Sequence, residues 1–331
     1  MNILVTGGAG FVGSACLRHL VEIGHTAIAF DNLAQGHAEA VPQGCLIQGD
    51  ILDTRHLEDS LRGCRAEAVM HFAAATCVGE SVDNPEYHYR NNIAGTLSLL
   101  TAMKSVGVRR LLFSSTCATY GDNPRSPMNE DAAQIPCSPY ARTKLTVEWM
   151  ISDFAAAYEL GYTILRYFNA AGGSPDGSFG EDHHPENHLI PLVLQVALGQ
   201  RDKIKVFGDD YPTEDGTCIR DYIHVDDLAK AHSLAIEATN PQTREVYNVG
   251  TGHGHSVMEV IRACEAVVGR SIPCEITARR PGDPPALVAD PDKLKRILGW
   301  SPKYEGIEKT VASAWRWHSR HPDGYRSNAR P

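Results

Sequence analysis

A glycine-rich turn close to the amino terminus constrains the fold of this chain more than any other feature. The apolar run Asn2–Thr6 predicts a buried strand, and Gly7-Gly8-Ala9-Gly10-Phe11-Val12-Gly13 follows it directly, before a helical pattern. In a strand, turn and helix of this kind, the positive end of the helix can bind a pyrophosphate. We expect Gly7 to allow the tight turn, Gly10 to let a ligand approach the backbone, and Gly13 to let the helix pack closely.

An acidic residue at the end of the next apolar run indicates which dinucleotide would bind. The second predicted strand, 26–30, ends at Asp31. A carboxylate in this position accepts hydrogen bonds from the adenosine ribose hydroxyls and repels a 2′-phosphate. The sequence therefore favours NAD over NADP as the cofactor.

Short apolar runs alternate with helical patterns through the first half of the chain. Further strands are predicted at 45–50, 68–74, 110–115 and 162–168, with helices at 54–61, 91–106 and 141–159. This alternation predicts an α/β fold with a doubly wound, parallel, Rossmann-type sheet. Ligands of such sheets bind beyond the carboxyl ends of the strands, so we expect the residues there to line one crevice.

The pattern changes after residue 168, where 169–187 is rich in Gly, Pro, Asp and His and predicts a substrate loop. Later helices are predicted at 191–198, 225–239, 256–268 and 306–319, and short strands at 205–207 and 246–249. We predict an NAD-binding domain over 1–168, to which segments near 224–250 return. A smaller mixed α/β substrate domain, from 169–223 and 251–331, is expected to fold over the crevice.

Composition excludes several classes of protein. The 331 residues carry a net charge of −9 without a basic cluster, which argues against a nucleic-acid partner. No apolar run approaches the ~20 residues that a membrane-spanning helix needs. Nine scattered cysteines without a C-x-x-C pair predict reduced thiols and a cytoplasmic location.

Ser138-Pro139-Tyr140-Ala141-Arg142-Thr143-Lys144 places a tyrosine and a lysine four residues apart at the start of a predicted helix. Side chains at this spacing share one helical face. An ammonium near a phenol favours the phenolate, so we expect Lys144 to lower the pKa of Tyr140. Tyr140 could then remove a proton from an alcohol near neutral pH. Such pairs are common by chance, and this one gains weight from the predicted NAD site beside it.

Several motifs together resemble a known family. They are the glycine turn, Asp50-Ile51, His71-Phe72-Ala73-Ala74, Ser114-Ser115-Thr116, Tyr140-x-x-x-Lys144, Arg166-Tyr167-Phe168-Asn169, the stretch from Gly208 to Val225 with Arg220-Asp221-Tyr222, and Arg279-Arg280-Pro281-Gly282-Asp283. From about Met1 to about Trp300 the chain resembles the extended short-chain dehydrogenase/reductases, and among them the epimerases that act at C4 of UDP-hexoses. The resemblance implies a UDP-sugar substrate, a permanently bound NAD, interconversion of UDP-glucose and UDP-galactose, and a homodimer.

The same resemblance implies roles for individual residues. Tyr140, Lys144 and Thr116 are the implied catalytic residues, with Thr116 relaying a proton between the sugar 4-oxygen and Tyr140. Cofactor contacts are implied for Gly7, Gly10, Phe11, Val12, Gly13, Asp31, Asn32, Asp50, Ile51, Phe72, Ala73, Ala74, Asn91, Tyr140, Lys144 and Phe168. Substrate contacts are implied for Thr116, Asn169, His188, Leu189, Lys205, Val206, Phe207, Arg220, Arg280, Asp283 and Leu287.

Some of these positions have alternative interpretations. Phe72 could be a core residue at a strand end, and Asn91 could cap a helix. Arg220 and Arg280 could be ordinary surface residues, but a guanidinium suits a diphosphate, and an acidic protein needs such local charge. His188 stands where many of these epimerases have asparagine.

Other activities were weighed against epimerisation. A nucleotide-sugar 4,6-dehydratase of the family carries an Asp-Glu pair directly after the threonine, and Cys117-Ala118 stands there instead. Epimerases of UDP-xylose, UDP-arabinose or UDP-glucuronate are closer alternatives. A non-catalytic NAD-binding regulator is disfavoured because Thr116, Tyr140 and Lys144 are all present.

Two further positions carry specific expectations. In the family, the position of Leu287 limits the space beside the sugar C2 substituent, so leucine predicts tolerance of an N-acetyl group. His183-His184 suggests a metal site, but adjacent histidines seldom share an ion. We therefore predict that this pair lies on a solvated loop and that the protein has no metal site.

Overall fold

The computed structural model describes residues 1–121, 123, 126–280 and 283–325. In chain order the strands are β1 Asn2–Thr6, β2 Thr26–Asp31, β3 Leu46–Gln48, β4 Ala68–His71, β5 Arg110–Thr116, β6 Gly161–Tyr167, β7 Asn169–Ala171, β8 Ile204–Phe207, β9 Ile219–His224, β10 Arg244–Val249, β11 Gly254–Ser256, β12 Cys274–Thr277 and β13 Ala286–Leu287. The α-helices are α1 Phe11–Glu22, α2 Thr54–Gly63, α3 Val78–Asp83, α4 Pro85–His88, α5 Gly95–Val106, α6 Pro139–Tyr158, α7 Leu189–Ala197, α8 Val225–Ala238, α9 Val257–Val268, α10 Asp292–Leu298 and α11 Ile307–Arg320.

Seven strands form one parallel sheet in the order β10-β6-β5-β4-β1-β2-β3. This arrangement confirms the predicted α/β class with a doubly wound, Rossmann-type sheet. The chain runs outward from β1 to β3 and then returns to the other side of β1 with β4. Between β1 and β4 the strand order reverses, and this is where such sheets bind their ligands.

Alternation along the central strand explains why both faces of the sheet are covered. In β1, Ile3 and Val5 pack into the core with α1 and α8, whereas Leu4 packs into the core with α2, α5 and α6. Successive side chains of a strand point to opposite faces. A strand that is apolar at every position is therefore stable only in a sheet with helices on both sides.

The remaining strands build two smaller sheets. Strand β9 lies at the centre of one, pairing with β7, β11 and β13, while β8 pairs with β12. Helices α7, α9 and α11 share an apolar core with these sheets, around Leu194, Val260 and Val311. Strands β6 and β7 are separated by Phe168 alone, so the chain passes directly from the large sheet into the smaller one. No helix of the described residues is long and apolar enough to cross a membrane.

The glycine turn depends on contacts that a side chain would prevent. Gly7 has φ +70°, which glycine adopts most readily. A Cβ on Gly13 would lie 2.1 Å from the carbonyl oxygen of Gly7. The close approach of α1 therefore depends on the absence of a side chain at Gly13, as the sequence predicted.

Gly13→Ala is expected to lower the free energy of unfolding by roughly 1–3 kcal/mol, because α1 must move away from the turn. The matched control is Gly63→Ala at the end of α2, where a Cβ would meet no atom within 4 Å. That variant should change stability by less than about 1 kcal/mol. Urea midpoints of the two variants would check this, and equal midpoints would contradict it.

Candidate active site

Side chains from the carboxyl ends of β1, β2, β4 and β5, together with the start of α6, line the crevice of the large sheet. At the end of β2, the Asp31 carboxylate accepts hydrogen bonds from the backbone N–H groups of Ala9 (3.0 Å) and Leu33 (2.8 Å). Burial raises the pKa of the Asp31 carboxyl, and these two bonds act against that increase. Asp31 therefore holds the glycine turn in place, and each carboxylate oxygen keeps a further lone pair for a ligand.

Next to Asp31, Asn32 donates from Nδ2 to the Asp50 carboxylate at 3.2 Å, across the ends of β2 and β3. The neighbouring Ile51 is buried, and a Cβ on Gly95 would collide with its side chain. Asn32 and Asp50 thus lie together at one edge of the crevice, as predicted. Ile51 forms the floor beneath them.

Aromatic residues at the predicted cofactor positions pack mainly against protein. Phe11 stacks on Phe179 with ring centroids 5.7 Å apart, and Phe72 lies against His232 at 4.9 Å. Phe168 is buried at the end of β6. A ligand at Phe11 would therefore meet mainly the backbone at the start of α1, together with Val12, which is partly exposed there.

The segment that follows β4 is held in place by Asn92, a residue that was not predicted from the sequence. The backbone N–H groups of Phe72 and Ala73 donate to the Thr6 carbonyl, and Ala74 follows them at the rim. Asn92 is buried, accepts from the Ala75 N–H at 2.7 Å, and donates to the Ala75 carbonyl at 3.0 Å. In the sequence, the position of Asn92 next to the predicted site residue Asn91 was the only sign that it contributes to the crevice.

Asn91 does not cap a helix. Helical structure begins at Pro85, and Asn91 lies inside a π-helical turn, Tyr89–Ala94, that leads into α5. The predicted start of this helix at residue 91 is therefore wrong. The Asn91 side chain donates to Asn92 at 3.1 Å, and π-helical turns of this kind often occur at functional sites.

Tyr140 and Thr116 meet at the centre of the crevice. Ser138 caps α6 by accepting from the Ala141 N–H at 3.2 Å, so that Tyr140 lies in its first turn. Burial raises the pKa of the Tyr140 phenol well above its ordinary value, and the Thr116 side chain close to the phenol partly opposes this. The Thr116 hydroxyl also accepts from the Ala118 N–H at 3.1 Å, which fixes its position.

Lys144 does not lower the pKa of Tyr140 here, in contrast to the prediction. Its ammonium donates to the Ser114 carbonyl at 2.9 Å and lies 4.8 Å from the centre of the Phe113 ring. Burial lowers the pKa of Lys144 to about 7, and the negative charge of Glu148 partly opposes this shift.

A buried ion pair lies directly behind these residues. Arg166 donates to both oxygens of Glu148, at 2.6 Å for the shortest bond, and Ser115 donates to the same carboxylate at 2.5 Å. Arg166 also donates to the Tyr120 hydroxyl at 3.1 Å. The ion pair joins β5, β6 and α6, whose ends carry Thr116 and Tyr140.

Charged residues of the smaller sheets lie across the crevice. Arg220 in β9 forms an ion pair with Asp283, and its side chain is 11% exposed. Arg280 is exposed and stacks 3.9 Å from the ring centre of Phe207. The two arginines are thus held by different partners. Pro281 and Gly282 of the same motif lie outside the described residues.

The other predicted substrate positions differ in what they can offer a ligand. Val206 is fully buried in β8, so its side chain cannot meet one, whereas Lys205 is exposed. Asn169 in β7 and Leu189 at the start of α7 are partly exposed. Leu287 pairs with Arg220 and packs against the apolar cluster that contains Cys117 and Phe168, and Cys117 directly follows Thr116 in the chain.

The prediction of a solvated loop at His183 is wrong, although His184 is exposed. The His183 side chain is 25% exposed and lies against Glu181, with His188 on the other side of the same carboxylate. The adjacent pair of histidines was a poor guide to this cluster, because His183 lies against Glu181 while His184 is exposed. The more informative pattern was Glu181, His183, Glu186 and His188 in one short segment.

A parallel sheet with a glycine turn at its switch point, facing a buried tyrosine, threonine and lysine, defines a dinucleotide-dependent enzyme of the short-chain dehydrogenase/reductase type. Residues 3–250 match the NAD dependent epimerase/dehydratase family. The chain belongs to that family.

Relatives and solved structures agree over almost the whole length. A protein from Halalkalibacterium halodurans, named UDP-glucose 4-epimerase, is 51% identical over 326 residues, covering 98% of both chains. The structure of UDP-glucose 4-epimerase from Brucella ovis in complex with NAD is 47% identical with a TM-score of 0.91, covering 96% of this chain and 98% of that one. The Bifidobacterium longum enzyme in complex with NAD⁺ and UDP is 37% identical with a TM-score of 0.93, covering 98% and 100%. The resemblance inferred from the sequence motifs is confirmed.

Proposed function

We propose that this protein is an isomerase that interconverts UDP-glucose and UDP-galactose with a tightly bound NAD. The observation that carries the proposal is the placement of Thr116 at the end of β5 beside the buried Tyr140 in the first turn of α6, in a fold shared with an NAD-complexed epimerase. Cys117-Ala118 follows the threonine, so the acid and base that elimination of water needs are not supplied there. This favours epimerisation over dehydration.

Each chemical role falls to a group with suitable geometry. NAD, when bound, supplies the hydride acceptor and later the donor for sugar C4. The Thr116 hydroxyl takes the proton of the sugar 4-OH and passes one to Tyr140, which lies beside it. Proton transfer to the phenol oxygen requires a nearby positive charge, because burial otherwise holds Tyr140 neutral. Lys144 lies on the same helical face, and its ammonium would supply that charge once it leaves the Ser114 carbonyl to which it is bonded.

Binding of the nucleotide is assigned to the opposite wall. Arg220 and Arg280 would hold the diphosphate, since planar guanidinium groups bind phosphate oxygens through two hydrogen bonds. Gripping the nucleotide while leaving the sugar free would let the 4-keto sugar turn over and present its other face. Binding energy remote from the reacting carbon then contributes to the reaction at that carbon.

A turnover assay with UDP-galactose and no added NAD tests the proposal. We expect UDP-glucose to form, because NAD would remain bound through purification, and acid-released NAD should match the protein in amount. Absence of UDP-glucose, even after NAD is added, would exclude the proposed reaction.

Leu287→Tyr is expected to reduce turnover of UDP-N-acetylglucosamine by at least tenfold while leaving UDP-galactose turnover within about threefold. A tyrosine beside Cys117 and Phe168 would occupy the space that an N-acetyl group needs, and a steric loss of about 1.4 kcal/mol already gives tenfold. The ratio of kcat/KM for the two substrates measures the effect. Failure of the unaltered protein to convert UDP-N-acetylglucosamine would remove the basis of this prediction.

We also propose that the protein is a cytoplasmic homodimer. Leu97 on α5 and Trp149 on α6 leave large apolar side chains 45% and 60% exposed, which supports burial of this surface by a second copy. Light scattering would show twice the chain mass, and Trp149→Glu should give the monomer mass. A monomeric unaltered protein would contradict the proposal.

A further inference from the structure

Four potential metal ligands converge on the segment between β7 and α7. They belong to Glu181, His183, Glu186 and His188, and one ligand atom from each lies within 4.8 Å of the other three. None of them takes part in proton or hydride transfer in the mechanism above. His188, which the family resemblance placed at the substrate, faces this cluster.

The distances centre on one carboxylate oxygen. Glu181 Oε1 lies 2.5 Å from Nδ1 of His188 and 3.2 Å from Nδ1 of His183. Carboxylate oxygens of Glu186 lie 3.6 Å from His188 Nδ1 and 3.8 Å from His183 Nδ1. Imidazole nitrogens and carboxylate oxygens from four side chains thus surround one small volume.

The buried atoms of this cluster lack hydrogen bonds of suitable geometry. Glu181 is 2% exposed, and both its Oε1 and the Nδ1 of His183 are without a hydrogen-bond partner among the described residues. They are close enough for an ion pair, but their geometry does not satisfy a donor and an acceptor. Buried polar atoms are rarely left in this condition, and each such case calls for an explanation.

We propose that Glu181, His183, Glu186 and His188 bind a divalent transition-metal ion of the Zn²⁺ type. Zinc takes four ligands drawn from histidine nitrogen, carboxylate oxygen and thiolate. Two carboxylates match the ion's double charge, while imidazole makes Mg²⁺ and Ca²⁺ poor candidates because both prefer oxygen ligands. Four protein ligands would complete a tetrahedral shell, which is typical of structural zinc sites, and Glu181 Oε1 would move away from His188 Nδ1 to admit the ion.

The position of the site indicates what the ion would do. The His183 ring meets the Phe11 ring edge-on at 6.5 Å, and His188 immediately precedes α7. Between the ligands, Asp182 forms an ion pair with His37 at 3.3 Å. An ion here would fasten the segment between the first residue of α1 and the start of α7, and so would fix one wall of the substrate side of the crevice.

The alternative occupant of this volume is a proton. The Glu181 and Glu186 carboxylates beside His183 also favour a proton on its imidazole. Bound metal must therefore displace protons from the histidines, and its affinity should rise with pH. Metal content, rather than stability alone, distinguishes the two occupants.

The test uses the full chain purified without a histidine tag. After extensive dialysis, elemental analysis should find about one equivalent of Zn²⁺ or a neighbouring transition metal per chain. After removal of the metal with a chelator, titration with Zn²⁺ should restore one saturable site and raise the thermal midpoint. His183→Gln and Glu181→Gln should each lose the bound ion, since each removes one ligand.

His184→Gln is the matched control, because His184 is the exposed neighbour outside the cluster. It should retain the metal content of the unaltered protein. The proposal is overturned if the unaltered protein holds less than about a tenth of an equivalent and shows no saturable Zn²⁺ binding. It is overturned equally if His183→Gln binds Zn²⁺ as well as His184→Gln does. Because the readout is metal content, neither result depends on the proposed epimerase activity.

Discussion

Tyr140→Phe is expected to lower kcat by roughly 10³–10⁴-fold, the upper part of the range for a general acid–base group. In the proposed mechanism the phenol hydroxyl exchanges a proton with the Thr116 hydroxyl, and phenylalanine keeps the ring while removing that group. The substitution should leave bound NAD and the KM for UDP-galactose nearly unchanged. Steady-state rates with UDP-galactose, together with the NAD content of the purified variant, measure both parts.

Tyr167→Phe is the control for loss of a buried phenol. Its hydroxyl accepts a hydrogen bond from Ser114 at 2.9 Å, and no role in proton transfer is assigned to it. We expect its kcat to fall by less than about tenfold. If Tyr140→Phe retained a tenth or more of the original rate, or if both variants lost the same amount, another group would be the base.

Arg166→Met should lower the free energy of unfolding by about 3–5 kcal/mol, because it leaves the Glu148 carboxylate buried without its counter-ion. The two side chains are 7% and 5% exposed, and their shortest bond is 2.6 Å. The loss should appear as a lower denaturant midpoint. Catalysis should also weaken, since the pair holds together the elements that carry Thr116 and Tyr140.

An exposed ion pair of similar length gives the control. Arg109 and Glu159 meet at 2.7 Å with side chains 56% and 76% exposed, and Arg109→Met should cost no more than about 1 kcal/mol. The double variant Arg166→Met with Glu148→Leu should recover part of the stability, because no buried charge remains. Equal losses at Arg166 and Arg109 would show that burial does not govern the strength of these pairs.

The parts of the fold that rest on local pattern were predictable from the sequence. Strand β1 and the glycine turn lie where they were predicted, because a continuous apolar run and a turn that needs glycine are both visible in a single segment. Strand β9 was not predicted as a strand, since it contains Arg220, Asp221 and His224. Asp221 is nevertheless buried, accepting from the backbone N–H groups of Thr251 and Gly252, and these partners are distant in the sequence.

The same distinction separates the positions at the site that could be located from the sequence from those that could not. Tyr140, Thr116 and Asp31 could be located because each follows a recognisable strand or cap. The contacts of Lys144 could not be predicted from its spacing to Tyr140, because its nearest partner is the carbonyl of Ser114 in strand β5. The cluster around His183 was missed for a related reason, because Glu181 and Glu186 come close to the histidines only when the segment is folded.

The edge strand β10 has a consequence for how the protein is made. It lies beside β6 in the large sheet, and Val249 accepts a hydrogen bond from the Phe168 N–H at 3.2 Å. A ribosome must therefore synthesise the three smaller-sheet strands β7, β8 and β9 before the last strand of the large sheet exists. During synthesis β6 remains an open edge, which is a surface prone to wrong pairing. The large sheet therefore cannot be completed before these strands of the smaller sheets have been made.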